Sequence, residues 1–559
     1  MFDLLQSMGY GDVEIIDASV GFELCKSAGA RVMVMGSLAK SGETFVINTQ
    51  VLNVDTKKLI AAQTETGEGE NSILGHLVDD LTDRIKKDME ISAREIQQEQ
   101  KNITELTTTS LEAYRYFVMG KEAGSAGYNQ EAIDDLQKAV ALDSSFIEAY
   151  DALVRQYYTV GESEKALRVC EKLKTIATQS TRATQEKLLE VLVLEALIKE
   201  HWDLAVAYLR KITSMNPENV RAHIDLGMVY YQKKKMYDEG IAEFKKVLEL
   251  DPQGMKPRVV DFTYKVLGYA YLRKGELGKA EAAFKTHVDL SPNQPLPLLC
   301  LGEFYLIVGN YDQALARLKQ SLEAKPDFVD AHACLGDIYL AKGRYAEALR
   351  SYERYLALST SESEKADAHF LLGKLKYLKN DYTEAVQESR QALRLDPKMP
   401  QAHWMLGLAL IKKTMFSQAE IETLAISELM KKTEADEPKV YYYHLLGEFW
   451  LSRGLHQRAL ENFNKAASIP ILDRAFFINT LGEAHYKMGE WDAAVEQFEA
   501  VLKTNPSYAQ THYLLGLLYE KKGTDKKSRQ HFQKFIEIWE DADEDLPQLT
   551  DAKKRLEEL

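Results

Sequence analysis

Small and aromatic residues recur every 34 positions in the middle of the chain, between Asp261 and Thr360. Each period contains a Leu-Gly pair, a tyrosine three residues after the glycine and an alanine twelve residues after it. The recurring columns are Gly268, Gly302 and Gly336; Tyr271, Tyr305 and Tyr339; and Ala280, Ala314 and Ala348. Self-similarity at this period is typical of stacked helix-turn-helix units, each of which buries its apolar face against its neighbours.

The same columns continue on both sides of this stretch and predict about twelve units from Leu111 to about Trp539. A glycine inside a helix costs about 1 kcal/mol relative to alanine, so a recurring glycine indicates close packing. We interpret the Gly and Ala columns as the place where the two helix backbones of a unit approach each other. We expect the Tyr and Phe columns to fill the space between successive units. One unit, with Gly240 in the Ala column, carries an extra residue before that position.

The 34-residue period, with Leu-Gly, Tyr and Ala at these offsets, resembles the tetratricopeptide repeat (TPR) family. The resemblance implies a mainly α fold, a right-handed TPR α-solenoid of about 12 helix-turn-helix repeats, preceded here by a small α+β module. It also implies that a protein or peptide segment binds on the concave surface of the array. After the last repeat, the charged stretch Leu549–Leu559 predicts the polar helix that the end of a solenoid requires.

The first 90 residues do not follow the repeat. Short β-branched runs separated by turn signals predict strands, and amphipathic stretches predict flanking helices. The expected strands are Val13–Ile16, Arg31–Ser37, Thr44–Val54 and Leu59–Thr66, and the expected helices are Phe2–Met8, Gly21–Ala28 and Ser72–Met89. We therefore expect residues 1–90 to form the α+β module, 91–110 a polar linker, 111–540 the TPR array and 541–559 a C-terminal capping helix.

Two strings in this module carry a second resemblance: Ala28-Gly-Ala-Arg-Val-Met-Val-Met-Gly-Ser-Leu and Phe45-Val-Ile-Asn-Thr-Gln-Val-Leu-Asn-Val-Asp. They resemble the sensor region that precedes TPR arrays in bacterial serine/threonine kinase or adenylate cyclase multidomain proteins. The resemblance implies a kinase or cyclase partner, although the chain carries no kinase signature of its own. The first half of that region is missing, so we expect an incomplete sheet whose unpaired edge rearranges or is covered by a partner.

Charge and hydropathy narrow the classes of partner. The net charge of −15 disfavours nucleic acid and anionic membrane surface as general partners. No apolar run reaches the roughly 18 residues of a membrane span, so no integral membrane segment is expected. Met1 leads into no export signal, which favours a cytoplasmic location, or an extracytoplasmic one if the true start lies upstream.

Residues that could carry chemistry are spread along the chain rather than gathered. The four cysteines form no Cys-x-x-Cys pair, which disfavours a zinc site. Histidines occupy the fourth position of separate repeats, and we interpret them as structural: His223, His332, His369, His403 and His512. No metal-ligand or nucleophile motif is present. We therefore expect no catalytic residue, no cofactor and no metal, and a protein that is not an enzyme.

The candidate binding surface follows from the TPR resemblance. In TPR arrays, positions two, five, nine, twelve and thirteen of the first helix usually line the concave surface, and aromatic and arginine side chains there are frequent hot spots. The predicted peptide-binding groove therefore comprises Arg221, Tyr231, Lys265, Tyr269, Arg273, Trp404, Tyr441, His444, Phe476, Asn479, Tyr486, Lys487 and Tyr513. A chaperone-type carboxylate clamp is not expected, because Tyr269 and Glu303 stand where its asparagines should be.

Two functional hypotheses follow. The first is a non-enzymatic scaffold for protein–protein interaction that binds a peptide or protein segment on the concave TPR surface. The alternative is a sensory or regulatory fragment of a bacterial kinase- or cyclase-linked signalling protein, whose N-terminal module binds a ligand or an upstream partner. Under the first hypothesis, we interpret the regular centre of the array as a spacer and the irregular flanks as the binding surfaces.

Overall fold

The computed structural model describes residues 18–27, 30, 32–70, 72–73, 77–88, 108, 110–125, 128–179, 184–251, 257–431, 435–471, 474–544 and 546–559. The chain divides into two compact units, Met1–Thr263 and Tyr264–Leu559, which we call unit 1 and unit 2. The expected helix Phe2–Met8, the expected strand Val13–Ile16 and nearly all of the expected linker lie outside the described residues.

Unit 1 begins with a three-stranded antiparallel sheet between two helices. Its elements are α1 (Ala18–Ser27), β1 (Val32–Ser41), β2 (Thr44–Asn53), β3 (Leu59–Glu68) and α2 (Val78–Asp88). The strands pair in the order β1-β2-β3, and Phe45, Ile73 and Leu77 form the core between sheet and helix. Strand β1 continues to Ser41, beyond its predicted end at Ser37. Ser41 pairs with Thr44, the first residue of β2, across a two-residue turn.

Strand β1 carries exposed apolar side chains. Val34 and Leu38 are 50% and 55% exposed, although both belong to a strand whose neighbour β2 contributes the fully buried Val51. Among the described residues β1 pairs on one side only, with β2. An edge strand with exposed apolar side chains is a surface that other chains can pair with.

Eight further helices of unit 1 pair in sequence order, and we number the pairs repeats one to four. They are α3 (Leu111–Ser125) with α4 (Asn129–Leu142), α5 (Ile147–Thr159) with α6 (Ser163–Gln179), α7 (Gln185–Ile198) with α8 (Trp202–Met215), and α9 (Val220–Met228) with α10 (Tyr237–Leu250). The extra residue of repeat four is absorbed by a π-helical segment, Val229–Lys234, which ends at Lys235 with a φ of +53°.

Unit 2 holds repeats five to twelve, although the first helix of repeat five begins in unit 1. Their helices are α11 (Pro257–Lys274), α12 (Leu277–Leu290), α13 (Pro295–Ile307), α14 (Tyr311–Ala324), α15 (Val329–Ala341), α16 (Tyr345–Leu358), α17 (Glu362–Leu378), α18 (Tyr382–Leu395), α19 (Pro400–Lys412), α20 (Phe416–Met430), α21 (Glu437–Ser452), α22 (His456–Ser468), α23 (Ala475–Lys487), α24 (Trp491–Thr504), α25 (Ala509–Lys521) and α26 (Asp525–Ile538). A last helix, α27 (Pro547–Glu558), contacts α26. The predicted fold class, a helix-turn-helix solenoid behind a small α+β module, is confirmed.

In several repeats the column glycine packs against an aromatic ring of the same repeat. A Cβ added at Gly336 would lie 2.2 Å from Cε1 of Tyr352, and one at Gly447 would lie 2.4 Å from Cε1 of Phe463. Both rings are almost completely buried. Phe463 packs against Gly447 of its own repeat and also forms one core cluster with Leu481 and Ala484 of the next repeat, so it fills space both within and between repeats.

The first helices of the repeats line the inner face of unit 2. First helices of successive repeats contact each other, as α13 does with α15, α15 with α17, α17 with α19, α19 with α21 and α23 with α25. In the described residues no contact of comparable extent joins successive second helices. Since the elements on the inside of a curved stack lie closer together, the first helices form the inner face. Within the described ranges, no helix is both long and apolar enough to cross a bilayer.

Candidate functional site

One column of the inner face forms a ladder of polar contacts. The residue after the column glycine is Tyr269 in repeat five, Glu303 in repeat six, Asp337 in repeat seven and Lys374 in repeat eight. The Tyr269 hydroxyl donates to Glu303 Oε2 at 2.5 Å. The Lys374 Nζ donates to Asp337 Oδ1 at 3.2 Å, and the buried Tyr352 hydroxyl donates to the same oxygen at 2.8 Å. Stacking of the repeats therefore brings side chains 34 to 37 residues apart into direct contact.

Carboxylates accumulate around this ladder. Burial raises the pKa of Glu303, and the negative charges of Asp330 and Asp337 raise it further. Burial also raises the pKa of Asp330 and of Asp367, which lie six residues before the column glycine in repeats seven and eight, and neighbouring carboxylates add to both shifts. We call Glu303, Asp330, Asp337 and Asp367 the acidic inner face. In the described part of the chain, Glu303, Asp330 and Asp367 form no ion pair.

The inner face of unit 1 is charged but neutralised. Arg155 pairs with Asp151 at 2.9 Å and with Asp225 at 3.4 Å, and Lys187 lies 3.7 Å from Asp151. Burial pushes the pKa of Asp151 upward, but Arg155 and Lys187 outweigh it and lower that pKa. Arg221, a predicted groove residue, joins the same network through a 3.1 Å contact with Asp225. The two inner faces thus differ in whether their charges are compensated.

Four predicted groove residues form one aromatic cluster in repeats nine to eleven. The Trp404 ring lies 5.1 Å from that of Tyr441 and 5.7 Å from that of Phe476, measured between centroids. Trp404 and His444 are only 6% and 2% exposed. The expectation that Trp404 and His444 line an open groove is corrected, because both are buried in the core between repeats.

Hydrogen bonds fix the tautomer of His444. The Trp404 Nε1–H donates to His444 Nδ1 at 3.1 Å, so the ring proton must lie on Nε2, which faces the Thr480 hydroxyl at 3.4 Å. Complete burial, and to a smaller degree the charge of Lys412, lower the pKa of His444 to about 3. The imidazole is therefore neutral and structural.

Asn479 and Tyr513 also serve packing. Asn479 is 5% exposed and accepts a hydrogen bond from the Thr511 hydroxyl at 2.6 Å, so it is likewise removed from an open groove. The Tyr513 hydroxyl donates to Asp551 Oδ2 at 2.8 Å, which attaches α27 to repeat twelve. These contacts join each repeat to the next element along the chain.

The remaining predicted groove residues are at least partly exposed. Tyr486 lies beneath the ammonium group of Lys521, and Lys487 pairs with Glu483 at 2.7 Å. In unit 1, the ring of Tyr231 packs 6.0 Å from that of Tyr237. Tyr231 lies in repeat four, whereas Tyr486 and Lys487 are neighbours at the end of the first helix of repeat eleven.

Repeat five holds three predicted groove residues on α11. Lys265 is partly exposed, and Tyr269 belongs to the ladder above. Arg273 is partly exposed, and its Nη1 donates to the carbonyl oxygen of Pro470 at 3.4 Å, five repeats further on. Among these three residues, Tyr269 directly contacts the acidic inner face, through Glu303.

The fourth-position histidines share one structural geometry. His223, His369 and His403 place Nδ1 within 2.6–2.7 Å of a glutamate oxygen on the second helix. His223 and His403 place Nε2 on the carbonyl oxygen of the proline six residues earlier. His223 and His403 therefore join the loop before their repeat to its second helix, and His369 contacts the second helix of its repeat. In the described ranges no group of three or more His, Cys, Asp or Glu side chains could hold a metal ion.

Family models match most of the array. A model described as "Tetratricopeptide repeat" matches residues 191–254, 305–363, 335–400 and 370–414. A second with the same description matches residues 264–294 and 509–540, and one described as "TPR repeat" matches residues 482–523. These segments are tetratricopeptide repeats. The matches lie between residues 191 and 540, so the resemblance of the N-terminal module to a sensor region stays a prediction.

Curated relatives share parts of the TPR array. A TPR repeat-containing protein of Methanocaldococcus jannaschii is 28% identical over 24% of this chain and 22% of its own length. The uncharacterised protein ycf37 of Guillardia theta is 30% identical over 18% of this chain and 58% of its own length. The mitochondrial import receptor subunit TOM70 of Mus musculus is 22% identical over 30% of this chain and 26% of its own length. The chain thus spans between about a fifth and three fifths of these relatives.

Solved TPR structures align over longer stretches. The human IFIT1 dimer with PPP-AAAA covers 77% of this chain and 91% of its own at 17% identity and a TM-score of 0.36. The Cut9 and Hcn1 hetero-tetramer of the APC/C covers 81% and 99% at 14% identity and a TM-score of 0.31. The crystal structure of MamA covers 31% and 91% at 23% identity and a TM-score of 0.26.

Sequence reasoning missed the acidic inner face because it ranked residues by type. The preference for aromatic and arginine side chains passed over Glu303, Asp330 and Asp337, which stand at inner positions of the most regular repeats. The signal was present, since three acidic residues occupy inner columns of two successive repeats. That Glu303 and Asp330 form no ion pair within the described residues, whereas Asp337 pairs with Lys374, follows only from the placement of the neighbouring helices.

Proposed function

We propose that this chain is a non-enzymatic protein-interaction scaffold, and that unit 2 holds a basic, extended segment of a partner protein on its acidic inner face. The observation that carries the proposal is the set of three carboxylates, Glu303, Asp330 and Asp367, that form no ion pair within the described residues and have raised pKa values. Carboxylates held close together repel each other. The site therefore favours a cation, because a lysine or arginine of the partner would offset that repulsion.

The conformation of the partner segment follows from the tightness of the inner face. The rings of Trp404 in repeat nine and Phe476 in repeat eleven lie 5.7 Å apart, so side chains from repeats two units apart already touch. A helix with its side chains is about 10–12 Å wide, whereas an extended chain is narrower. Extended segments also expose their backbone to polar partners along the ladder formed by Tyr269, Asp337 and Lys374.

In this proposal the regular repeats bind the partner and are not a spacer. Repeats six to eight carry the uncompensated charge, whereas the flanking inner faces are filled by the aromatic cluster around Trp404 or by the ion-pair network around Arg155. The binding free energy of a partner would be largest where charge is left uncompensated.

The test compares two triple variants in binding a labelled peptide of alternating lysine and serine by fluorescence anisotropy. The site variant carries Glu303→Gln, Asp330→Asn and Asp367→Asn. The control variant carries Glu323→Gln, Asp327→Asn and Glu353→Gln, which are exposed and lie on second helices or a loop of repeats six and seven. Both remove three negative charges, so a general charge effect is the same in each.

We expect the site variant to bind at least tenfold more weakly, which corresponds to about 1.4 kcal/mol, and the control to stay within twofold of the original chain. A peptide of alternating glutamate and serine should not bind. Equal loss in both variants would reduce the effect to net charge, and unchanged binding in the site variant would remove the acidic inner face from the proposal.

Location and the role of the α+β module remain proposals as well. We propose a cytoplasmic location. The exposed Val34 and Leu38 on β1 support a contact role for the module, although nothing in the fold favours a kinase or cyclase as its partner.

A further inference from the structure

Unit 2 contains hydrogen bonds between residues almost 200 positions apart. The first joins Arg273, at the end of α11, to the carbonyl oxygen of Pro470, after α22. The separation of 197 residues corresponds to about six 34-residue repeats. In a solenoid each repeat contacts its neighbours in sequence, so a contact across six repeats means that the curved stack has completed one turn and touches itself.

A second contact lies one repeat further along. The buried Tyr311, at the start of α14, donates its hydroxyl to the carbonyl oxygen of Ser507 at 3.1 Å and accepts from the Asn505 amide at 3.4 Å. Gly309 precedes it with a φ of +77°, and a Cβ added there would lie 2.1 Å from Asn505 Oδ1. The turn before α14 therefore fits closely against the loop between α24 and α25.

A third contact follows after one more repeat. The Trp539 Nε1–H donates to the carbonyl oxygen of Ala341 at 3.0 Å, and the Trp539 ring packs edge-on against Tyr345. The backbone nitrogen of Asp543 donates to the Gly343 carbonyl oxygen at 3.1 Å, and its carboxylate accepts from the backbone nitrogen of Ala346 at 3.2 Å. That carboxylate lies against the first turn of α16, where the positive end of the helix dipole favours negative charge.

These three contacts are equivalent, and we call them the seam. Each joins the turn inside one repeat to the loop that follows the repeat five units later, and the partners are separated by 194 to 200 residues. Repeats six to eight, which carry the acidic inner face, lie within the turn that the seam closes. Because the helix pairs keep their neighbours in sequence, the seam can separate without unfolding any repeat.

We propose that the seam is a latch, which closes unit 2 around the acidic inner face and separates to admit the partner segment. This inference rests on the proposed function for the identity of that segment. The proposal that the seam encloses the inner face is independent of that identity. It predicts that any reagent reaches the inner face faster once the seam is open.

Matched glycine variants provide the test in the full-length chain. Gly309→Ala with Gly343→Ala places methyl groups where Asn505, Trp539 and Ala542 leave no room. Gly454→Ala with Gly489→Ala is the control, because these glycines have the same positive φ in open space. Both pairs bear the same backbone strain, and only the first blocks the seam.

Three measurements decide. We expect the seam variant, but not the control, to show a larger radius of gyration by small-angle scattering. We expect at least fivefold faster alkylation of Cys334 by N-ethylmaleimide, since that buried thiol lies beside Glu303, Asp330 and Asp337. Cys170, buried in unit 1, should react at an unchanged rate. The lysine–serine peptide should associate at least threefold faster.

A second variant controls for misfolding of the first. Tyr311→Phe with Asp543→Ala removes three seam hydrogen bonds and leaves both turns intact. It should show the same changes to a smaller degree. Unchanged Cys334 reactivity in both variants, with normal helix content, would overturn the latch. If Cys334 reacts faster but the peptide binds to no variant, the proposed partner is wrong and the enclosure stands.

Discussion

The column glycines show how a single missing Cβ fixes the geometry of a repeat. At Gly336 the nearest atom to an added Cβ would be Cε1 of Tyr352 at 2.2 Å, whereas at Gly373 it would be Oγ of Ser389 at 3.2 Å. The two positions are equivalent in sequence, but the side chains they face differ in size. The residue opposite the glycine therefore decides how much space the repeat can offer.

We predict that Gly336→Ala destabilises the protein by about 1–3 kcal/mol, because the added methyl displaces a buried ring. Gly373→Ala is the matched control and should be neutral to slightly stabilising, since alanine gains up to about 1 kcal/mol of helix propensity over glycine. Urea denaturation followed by circular dichroism measures both. Equal destabilisation of the two variants would show that the ring is not the cause.

His444 makes stability depend on pH. Its folded-state pKa of about 3 lies below the unfolded value of about 6.5. Between these values the unfolded chain binds the proton more readily, so stability is complete above about pH 6.5 and falls as the pH drops toward 3. The full difference corresponds to about 5 kcal/mol.

We therefore predict that His444→Gln, which keeps an acceptor for Trp404, flattens the acid limb of the stability profile. The comparison uses the difference between the two chains at each pH from 7 to 4, because His512 and His531 also have lowered pKa values and contribute to both profiles. Parallel profiles for the two chains would mean that His444 is not buried as a neutral ring.

At the scale of elements, the first and second helices of a repeat are joined by the histidine bond, and repeat twelve departs from the pattern. His512 Nε2 donates to the Pro506 carbonyl oxygen at 2.8 Å, and its Nδ1 lies 3.0 Å from His531 Nδ1. His531 stands where the repeats of His223, His369 and His403 have glutamate. Repeat twelve therefore lacks the histidine–glutamate contact found with Glu243, Glu388 and Glu422.

We predict that His531→Glu restores that pair, raises the pKa of His512 and stabilises repeat twelve by about 1 kcal/mol, the scale of one partly exposed charged hydrogen bond. His531→Gln is the control and should give no gain. Thermal denaturation measures the stability, and proton NMR titration of His512 measures its pKa. A gain in both variants would assign the effect to loss of the second ring instead.

At the scale of the whole molecule, unit 2 differs from an open solenoid. In an open stack the terminal repeats have a neighbour on one side only and open first. The seam gives repeats eleven and twelve additional partners in repeats six and seven, through Tyr311, Trp539 and Asp543. The last two repeats are thus stabilised by contacts with repeats six and seven as well as by their neighbours in sequence.

We predict that backbone amides of α24, α25 and α26 exchange with solvent as slowly as those of α17 and α18 in the original chain. In the variant with Gly309→Ala and Gly343→Ala, the last two repeats should exchange faster, while the Gly454→Ala and Gly489→Ala variant should not change. Hydrogen exchange with mass spectrometry resolves these helices. Fast exchange at the end of the original chain would mean that the seam adds no stability.

The sequence by itself determined the repeat, and with it the helices and their pairing. A 34-residue column of glycine, tyrosine and alanine is a local signal, because it reports packing between helices that are adjacent in the chain. The role of the fourth-position histidines could be inferred for the same reason, since their partners lie within the same repeat or the loop before it. The three strands followed from alternation and turn residues.

Only the tertiary structure decided which inner residues are available. Trp404, His444 and Asn479 satisfy the positional rule for a concave surface, yet the curvature of unit 2 buries them. Curvature is the sum of small rotations between repeats, and no single column encodes it. The same accumulation brings Arg273 to Pro470 and Trp539 to Ala341. It also leaves Glu303, Asp330 and Asp367 without ion-pair partners in the described chain, because charge compensation depends on which helices stand opposite.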